Sequence, residues 1–141
     1  MTPVQAIQAT LAGEHAAVYV YGVVGGRVSS SADPALAAKV AQAYTTHRGR
    51  RDQLTAMVRA AGAAPVAAEV SYRLPNPATT VRQLEAVALT VERQCSEVYA
   101  QMVGNTSRAN RQWAIEALTD AAVRQLGFGG SPMPFPGLPE L

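Results

Sequence analysis

The sequence has little of several residue types on which specialised proteins depend. Its 141 residues include one cysteine, two histidines and one tryptophan. A single cysteine excludes an internal disulfide and fits a reducing compartment. The spacing of cysteine and histidine matches no zinc motif, and no Ser/His/Asp order points to a hydrolytic triad. We therefore expect neither a disulfide scaffold, nor a zinc domain, nor a triad hydrolase.

Charge of one sign and long apolar runs are also scarce. Twelve Lys and Arg face ten Asp and Glu, which leaves a net charge of only +2. That is too small for the basic field typical of nucleic-acid-binding proteins. No uncharged apolar run approaches the roughly 20 residues of a membrane span, and the opening MTPVQAIQAT lacks the pattern of a signal peptide. These absences predict a cytoplasmic domain with neither a membrane nor a nucleic acid as its partner.

Alanine, in contrast, is abundant, with 27 residues against two isoleucines, and this composition favours helices. Signals for helix starts and stops divide the chain: starts at Thr2-Pro3, Asp33-Pro34 and Thr80, and stops at Gly62, Gly104 and Gly127. They predict a single all-α domain over residues 1–141, with helices at about 3–27, 34–62, 80–103 and 107–126.

The stretches between and after the helices predict how they are arranged. The three loops contain about 7, 16 and 3 residues, and only the first and third suit tight antiparallel turns. The second helix would be about 43 Å long, and 16 extended residues reach about 55 Å. The middle loop can therefore return along the bundle, which predicts two antiparallel hairpins joined by a long crossover, the ferritin-like arrangement. An extended Pro/Gly-rich tail at 128–141 follows, and four apolar side chains predict that it packs along the bundle: Phe128, Met133, Phe135 and Leu138.

Polar residues interrupt the apolar stripe of every predicted helix. Steps of three and four residues place them on the inward faces. They are Glu14 and Tyr21 on the first helix, Tyr44, His47 and Arg51 on the second, Glu92 and Tyr99 on the third, and Glu116 and Asp120 on the fourth. Counting residues from the turns puts the acids and the histidine at a common depth. The pattern therefore predicts one layer of four acids and a histidine at mid-bundle.

One interpretation of this layer is a metal site. A carboxylate-bridged di-metal centre takes one Glu from each of two helices and a Glu-x-x-His motif from each of the other two. The ligands, for iron or manganese, would be Glu14, His47, Glu92 and Glu116, with Asp120 as an alternative. Tyr44 stands where the second helix needs a Glu, and Thr119 stands where the fourth needs a His. A complete di-iron centre is therefore not expected.

The favoured interpretation is a buried charge cluster without a cofactor. Arg51 is a permanent cation on the predicted inward line, and an arginine can neutralise buried carboxylates without a metal. The cluster would contain Glu14, Tyr21, Tyr44, His47, Arg51, Glu92, Tyr99 and Asp120. The direction of Arg51 separates the two interpretations. An inward Arg51 favours the charge cluster, whereas an outward Arg51 leaves the acids to a metal or to raised pKa values.

Three segments of the chain resemble a known family. The segments LAGEHAAVYVYGVVGGRV, AYTTHRGRRDQLTAMVRAAGAAPVAAEVSYRLP and PFPGLPE are similar to the actinobacterial ferritin-like domain family of unknown function. The resemblance implies a four-helix ferritin-like bundle that self-associates as a dimer, and it implies no established activity. The positions that match the ligand pattern of the wider superfamily are Glu14, His47, Glu92 and Glu116, whereas Tyr44 and Thr119 depart from it.

The function expected from these observations is that of a non-enzymatic, self-associating scaffold or binding protein, acting as a homodimer without a cofactor. The alternative is a metal-binding redox protein with a degenerate carboxylate/His site for iron or manganese at mid-bundle. A third and more distant interpretation is an anion-binding or nucleic-acid-binding module that uses the arginines of the second helix.

Overall fold

A computed structural model describes residues 1–138, and residues 139–141 of the predicted tail lie outside the described residues. Residues 1–138 contain no β-strand and four α-helices: α1 (Pro3–Arg27), α2 (Pro34–Ala60), α3 (Val81–Asn105) and α4 (Arg108–Gly127). The all-helical prediction is confirmed, and each helix end lies within two residues of the expected position. No helix in this part of the chain is long and apolar enough to cross a membrane.

Capping interactions set the beginnings of α1 and α3. At α1, the Gln5 amide donates to Thr2 Oγ1 at 3.2 Å, and the Thr2 amide donates to Gln5 Oε1 at 2.8 Å. Thr80 and Gln83 form the same capping box at α3. Each box satisfies backbone N–H groups that have no partner within the helix. α2 begins at Pro34, because the fixed φ of proline suits the first helical position.

Side-chain pairs give the direction of each neighbouring helix. α1 packs against α2 and α3, and α3 packs against α4. Between α1 and α2 the pairs are Glu14–His47 and Gly25–Val40, and between α1 and α3 they are Glu14–Tyr99 and Tyr21–Glu92. Between α3 and α4 they are Tyr99–Trp113 and Glu92–Arg124. At each interface, residue numbers rise on one helix as they fall on the other. All three packed pairs are therefore antiparallel.

The connection between α2 and α3 (residues 61–80) follows the surface of α1. Three contacts mark its course: Gln8 Nε2 donates to the Ala64 carbonyl at 2.7 Å, the rings of Tyr19 and Tyr72 pack with centroids 5.5 Å apart, and Arg27 donates to the Pro77 carbonyl at 2.8 Å. These contacts progress from the beginning of α1 to its end. The two hydrogen bonds satisfy backbone groups of a segment that has no regular structure of its own.

A polar layer separates two apolar clusters in the interior. The smaller cluster contains Ile7, Leu11, Leu54, Val58, Met102 and Ala114. The larger cluster includes Val24, Val40, Leu84, Val87 and Phe128. Glu14, His47 and Glu92 lie at the level between the clusters and are fully buried. Apolar packing above and below therefore excludes water from these three side chains.

The tail after α4 contacts the bundle through the Phe128 side chain and through its backbone at Gly137. Phe128 is buried, but the other three apolar side chains are exposed, which differs from the expectation that they pack: Met133, Phe135 and Leu138. Gly137, with φ +78°, lies against α3. A Cβ atom at this position would overlap the carbonyl oxygen of Ser96, so the close approach requires glycine.

Candidate functional site

Three fully buried side chains form the centre of the polar layer. His47 of α2 lies between Glu14 of α1 and Glu92 of α3. Its Nδ1 atom is 2.7 Å from Glu14 Oε2, and its Nε2 atom is 3.1 Å from Glu92 Oε1. Both ring nitrogens can donate only when the imidazole is protonated. The centre is therefore an imidazolium held between two carboxylates.

Two tyrosines also donate hydrogen bonds to these carboxylates. The Tyr21 hydroxyl of α1 donates to Glu92 Oε1 at 2.6 Å, and the Tyr99 hydroxyl of α3 donates to Glu14 Oε1. Each helix thus supplies one glutamate and one tyrosine, and each tyrosine binds the glutamate of the other helix. In both helices the tyrosine is the seventh residue after the glutamate, a spacing that puts the two side chains on one face.

Two arginines and an aspartate extend the network toward the surface. Arg50 of α2 donates to the Tyr99 hydroxyl at 3.2 Å and to Asp120 Oδ2. Arg124, one turn after Asp120 in α4, is 2.7 Å from the same oxygen. Arg124 Nη1 also lies 3.6 Å from Glu92 Oε2. The Asp120 side chain is 44 % exposed, so the network reaches solvent in the groove between α2 and α4.

The charged groups of this network balance one another. Three carboxylates face three cations: Glu14, Glu92 and Asp120 against His47, Arg50 and Arg124. A buried ion remains charged only where its partners offset the cost of desolvation. With His47 protonated, the net charge of the network is zero, and the protein itself supplies every counter-charge.

The pKa values of the central side chains shift in the directions that this arrangement requires. Burial alone would lower the pKa of His47, but Cys95 and the hydrogen-bonded carboxylates of Glu14 and Glu92 raise it well above 6.5. Burial would raise the pKa of Glu92, but the hydrogen bond and charge of His47 lower it. Burial and the charge of Glu92 raise the pKa of Tyr21. The histidine therefore stays protonated, Glu92 stays ionised, and Tyr21 stays a donor at neutral pH.

Two residues predicted for the cluster lie outside it, and both are on α2. Arg51 is on the surface, where its Nη2 atom is 2.7 Å from Asp52 Oδ1. Tyr44 is only half-buried. The buried line of α2 instead contains Ala43, which precedes Tyr44, and Arg50, which precedes Arg51. Helical steps of three and of four residues both fit an alanine-rich pattern, so the sequence left the rotation of this helix open.

The inward cation is therefore Arg50 and not Arg51, and a second cation, Arg124, was not expected at all. The outward direction of Arg51 does not leave the acids unpaired, because Arg50 and Arg124 pair with them instead. Signals for both were present in the sequence. Arg50 follows His47 by three residues, and Arg124 follows Asp120 by four, so each shares a helix face with a predicted member.

Glu116, a predicted ligand on α4, lies away from the centre. It is exposed and accepts a hydrogen bond from Gln112 Nε2 at 2.9 Å. The buried line of α4 is formed by Ala114, Ala117, Ala121 and Gln125. Asp120, the alternative ligand, lies at the edge of this line beside Arg50. Alanine has a small apolar side chain and marks an inward face only weakly. The inward face of α4 was therefore predicted one residue before the alanines that are buried.

The donor atoms at the centre do not fit a metal ion as they are arranged. Both nitrogens of His47 face carboxylate oxygens, so neither presents a lone pair to a cation. Three of the four oxygens of Glu14 and Glu92 accept hydrogen bonds. The fourth, Glu92 Oε2, has no hydrogen bond within residues 1–138 and faces the Arg124 cation. In this part of the chain, no three His, Cys, Asp or Glu side chains are grouped as a metal site.

One family model matches the chain, and none of the comparisons gives an activity. Residues 6–140 match the family described as "Domain of unknown function (DUF4439)". No curated protein matches the chain. Among solved structures, the chain is similar to a conserved hypothetical protein, rv2844, from Mycobacterium tuberculosis, with 29% identity and a TM-score of 0.82 over 90% of this chain and 94% of that chain. Since the family match spans nearly all of its residues, the chain belongs to the DUF4439 family.

Proposed function

We propose that this protein is a ferritin-like bundle in which an internal charge network takes the place of a di-iron centre. In this arrangement the hairpins α1–α2 and α3–α4 are joined by residues 61–80 as a crossover. The position of His47 carries the proposal, because its ring nitrogens face both Glu14 and Glu92. In a di-metal bundle, glutamates on two helices converge on bridging cations, and here the imidazolium lies between them.

The proposed role is that of a non-enzymatic scaffold or binding protein. Neither central carboxylate is well placed to act as a base, because His47 and the tyrosines donate to three of the four oxygens and the Arg124 cation faces the fourth. The working form would be a self-associating homodimer without a cofactor, and apolar side chains exposed on α4 support self-association. We propose a cytoplasmic location, since an unpaired cysteine suits a reducing compartment.

Metal loading tests this proposal. The protein is dialysed anaerobically against Fe(II), Mn(II) or Zn(II), and bound metal is measured by elemental analysis, with Glu14→Gln as the paired variant. We expect far less than one metal ion per chain, and no rise in the thermal midpoint with any of the three ions. Near-stoichiometric metal in the parent chain, lost in Glu14→Gln, would contradict the proposal.

A second candidate function is that of a metal-binding redox protein with iron or manganese at Glu14, His47, Glu92 and Asp120, the last in place of the exposed Glu116. One observation favours it: Glu92 Oε2 is buried without a hydrogen bond from residues 1–138. Arg124 would have to move away before a cation reached this oxygen. Arg124→Gln removes the competing charge, so it would strengthen metal binding under this candidate. If the network is structural, the same variant is less stable and still binds no metal.

A further inference from the structure

A cavity of about 300 Å³ lies between α1 and α3 and is bordered by the connection that joins α2 to α3. Four buried residues line its inner part: Ala17, Val20, Val91 and Cys95. Tyr72 of the connection lines it as well, and the Tyr72 ring packs on the Tyr19 ring at 5.5 Å and accepts a hydrogen bond from the Glu69 amide at 2.9 Å. Ordered elements therefore surround the cavity on three sides, and its volume is at the lower end of the range for small-molecule sites.

Small side chains on α1 leave this space open. At Gly13 the two helices are in contact, because a Cβ atom there would lie 3.1 Å from Val98 Cγ2 of α3. One turn later, Ala16 and Ala17 line the cavity with only a methyl group each. The inner lining is apolar, since a buried free cysteine such as Cys95 behaves as a small apolar residue. The inner part of the cavity therefore suits a compact apolar group.

Charged side chains of both signs stand at the mouth of the cavity. Arg73 of the connection and Glu97 of α3 line it and are exposed. No salt bridge within residues 1–138 includes either of them, so they do not neutralise each other. Gln94, also exposed at the mouth, adds an amide that can both donate and accept. A ligand with one positive and one negative group would complement this mouth, whereas a singly charged ligand would leave a like charge beside it.

We propose that this cavity binds a small zwitterion with an apolar side chain, of the class of the branched aliphatic α-amino acids. The apolar side chain would occupy the inner part, the carboxylate would pair with Arg73, and the ammonium group would pair with Glu97. The inference rests on the binding role proposed above and names a ligand for it. The site requires no change in the charge network, whose carboxylates already have their own partners.

Calorimetric titration with three probes of similar apolar shape tests the ligand class. The probes are leucine, 4-methylpentanoate, which lacks the ammonium group, and 3-methylbutylamine, which lacks the carboxylate. We expect leucine to bind with a Kd of about 1 mM or lower. Each of the other two probes should bind about 5-fold more weakly, because each loses one ion pair at an exposed mouth. Equal affinities for leucine and 4-methylpentanoate would overturn the zwitterion.

Two pairs of variants test the location of the site. Ala16→Leu fills the cavity, so the Kd for leucine should rise by at least about 10-fold. Ala12→Leu makes the same change at an exposed position of α1 outside the lining and should bind as the parent does. Arg73→Gln should weaken leucine about 5-fold without weakening 3-methylbutylamine. Its control is Arg93→Gln, at an exposed position of α3 that does not line this cavity.

The outcomes separate this inference from the proposals on which it rests. No binding of leucine at about 10 mM would overturn the cavity site and the binding role with it. The charge network would stand in that case, because metal loading judges it separately. Equal binding by Ala16→Leu and Ala12→Leu would place leucine outside the cavity and would overturn the site. Parent-like binding of leucine by Arg73→Gln would overturn the assigned carboxylate contact. Circular dichroism checks that every variant retains the parent's helix content.

Discussion

At the scale of single residues, two neighbouring arginines have opposite environments. Arg50 is buried and contacts Tyr99 and Asp120, whereas Arg51 is on the surface beside Asp52. They have the same side chain, in the same helix, one residue apart. Substituting each in turn therefore measures what the buried network contributes, with intrinsic helix propensity held constant.

We expect Arg50→Met to lower the free energy of unfolding by about 2 kcal/mol, because the buried Tyr99 hydroxyl and the partly exposed Asp120 carboxylate each lose a charged partner. Arg51→Met removes an exposed ion pair, so it should change stability by at most about 1 kcal/mol. Urea denaturation of the two variants measures the difference. Equal losses would show that Arg50 is not an energetically important member of the network.

At the scale of elements, helix boundaries were predictable from the sequence, and helix rotation was not. The Thr2–Gln5 and Thr80–Gln83 caps are interactions within single segments, so their sequence signals suffice. The rotation of α2 depends on whether position 43 or 44 is inward. Since Ala43 has little apolar surface, only packing against the other helices decides it. The predicted inward face was one residue off on both α2 and α4. Arg51 was therefore expected where Arg50 is buried, and Glu116 was expected where Ala117 is buried.

The tail offers a test of an element held by its backbone. Gly129 and Gly137 both have positive φ values, but only Gly137 would meet another part of the protein if it carried a Cβ. We expect Gly137→Ala to detach the tail from α3, so that the Leu138 amide loses its hydrogen bond to Phe135 and exchanges its hydrogen faster. Gly129→Ala is the control for backbone strain, which costs about 1 kcal/mol. Similar exchange at Leu138 in both variants would refute the steric explanation.

At the scale of the whole molecule, the network connects all four helices at one level. α1 supplies Glu14, α2 supplies His47 and Arg50, α3 supplies Glu92, and α4 supplies Arg124 and Asp120. The central layer therefore couples protonation to the stability of the entire bundle. Neither composition nor net charge predicts this coupling, because it arises only when folding brings these groups together.

We expect stability to be greatest between about pH 4.5 and pH 6.5. The pKa of His47 is raised in the folded chain, so its stabilisation is complete below the ordinary value of 6.5 and is lost as pH rises through the folded value. The pKa of Glu92 is lowered, so its stabilisation is complete above 4.5 and is lost as pH falls through the folded value. Thermal midpoints measured from about pH 3 to about pH 9 test the expectation.

His47→Gln is the control for this pH dependence. It removes the titrating imidazole but retains a polar side chain, so the decline in thermal midpoint at alkaline pH should flatten. The decline at acid pH, which comes from Glu92, should remain. A parent chain whose midpoint stays constant from about pH 6.5 to 9 would contradict the raised pKa of His47.

The reciprocal bonds between α1 and α3 bear on how such a chain can originate. Tyr21 binds Glu92 and Tyr99 binds Glu14, so each half of the molecule contributes one donor and one acceptor at the same spacing. Two copies of a single helical hairpin, related by a two-fold axis, would make both bonds. A duplicated and fused helical hairpin would therefore reproduce both bonds of this interior.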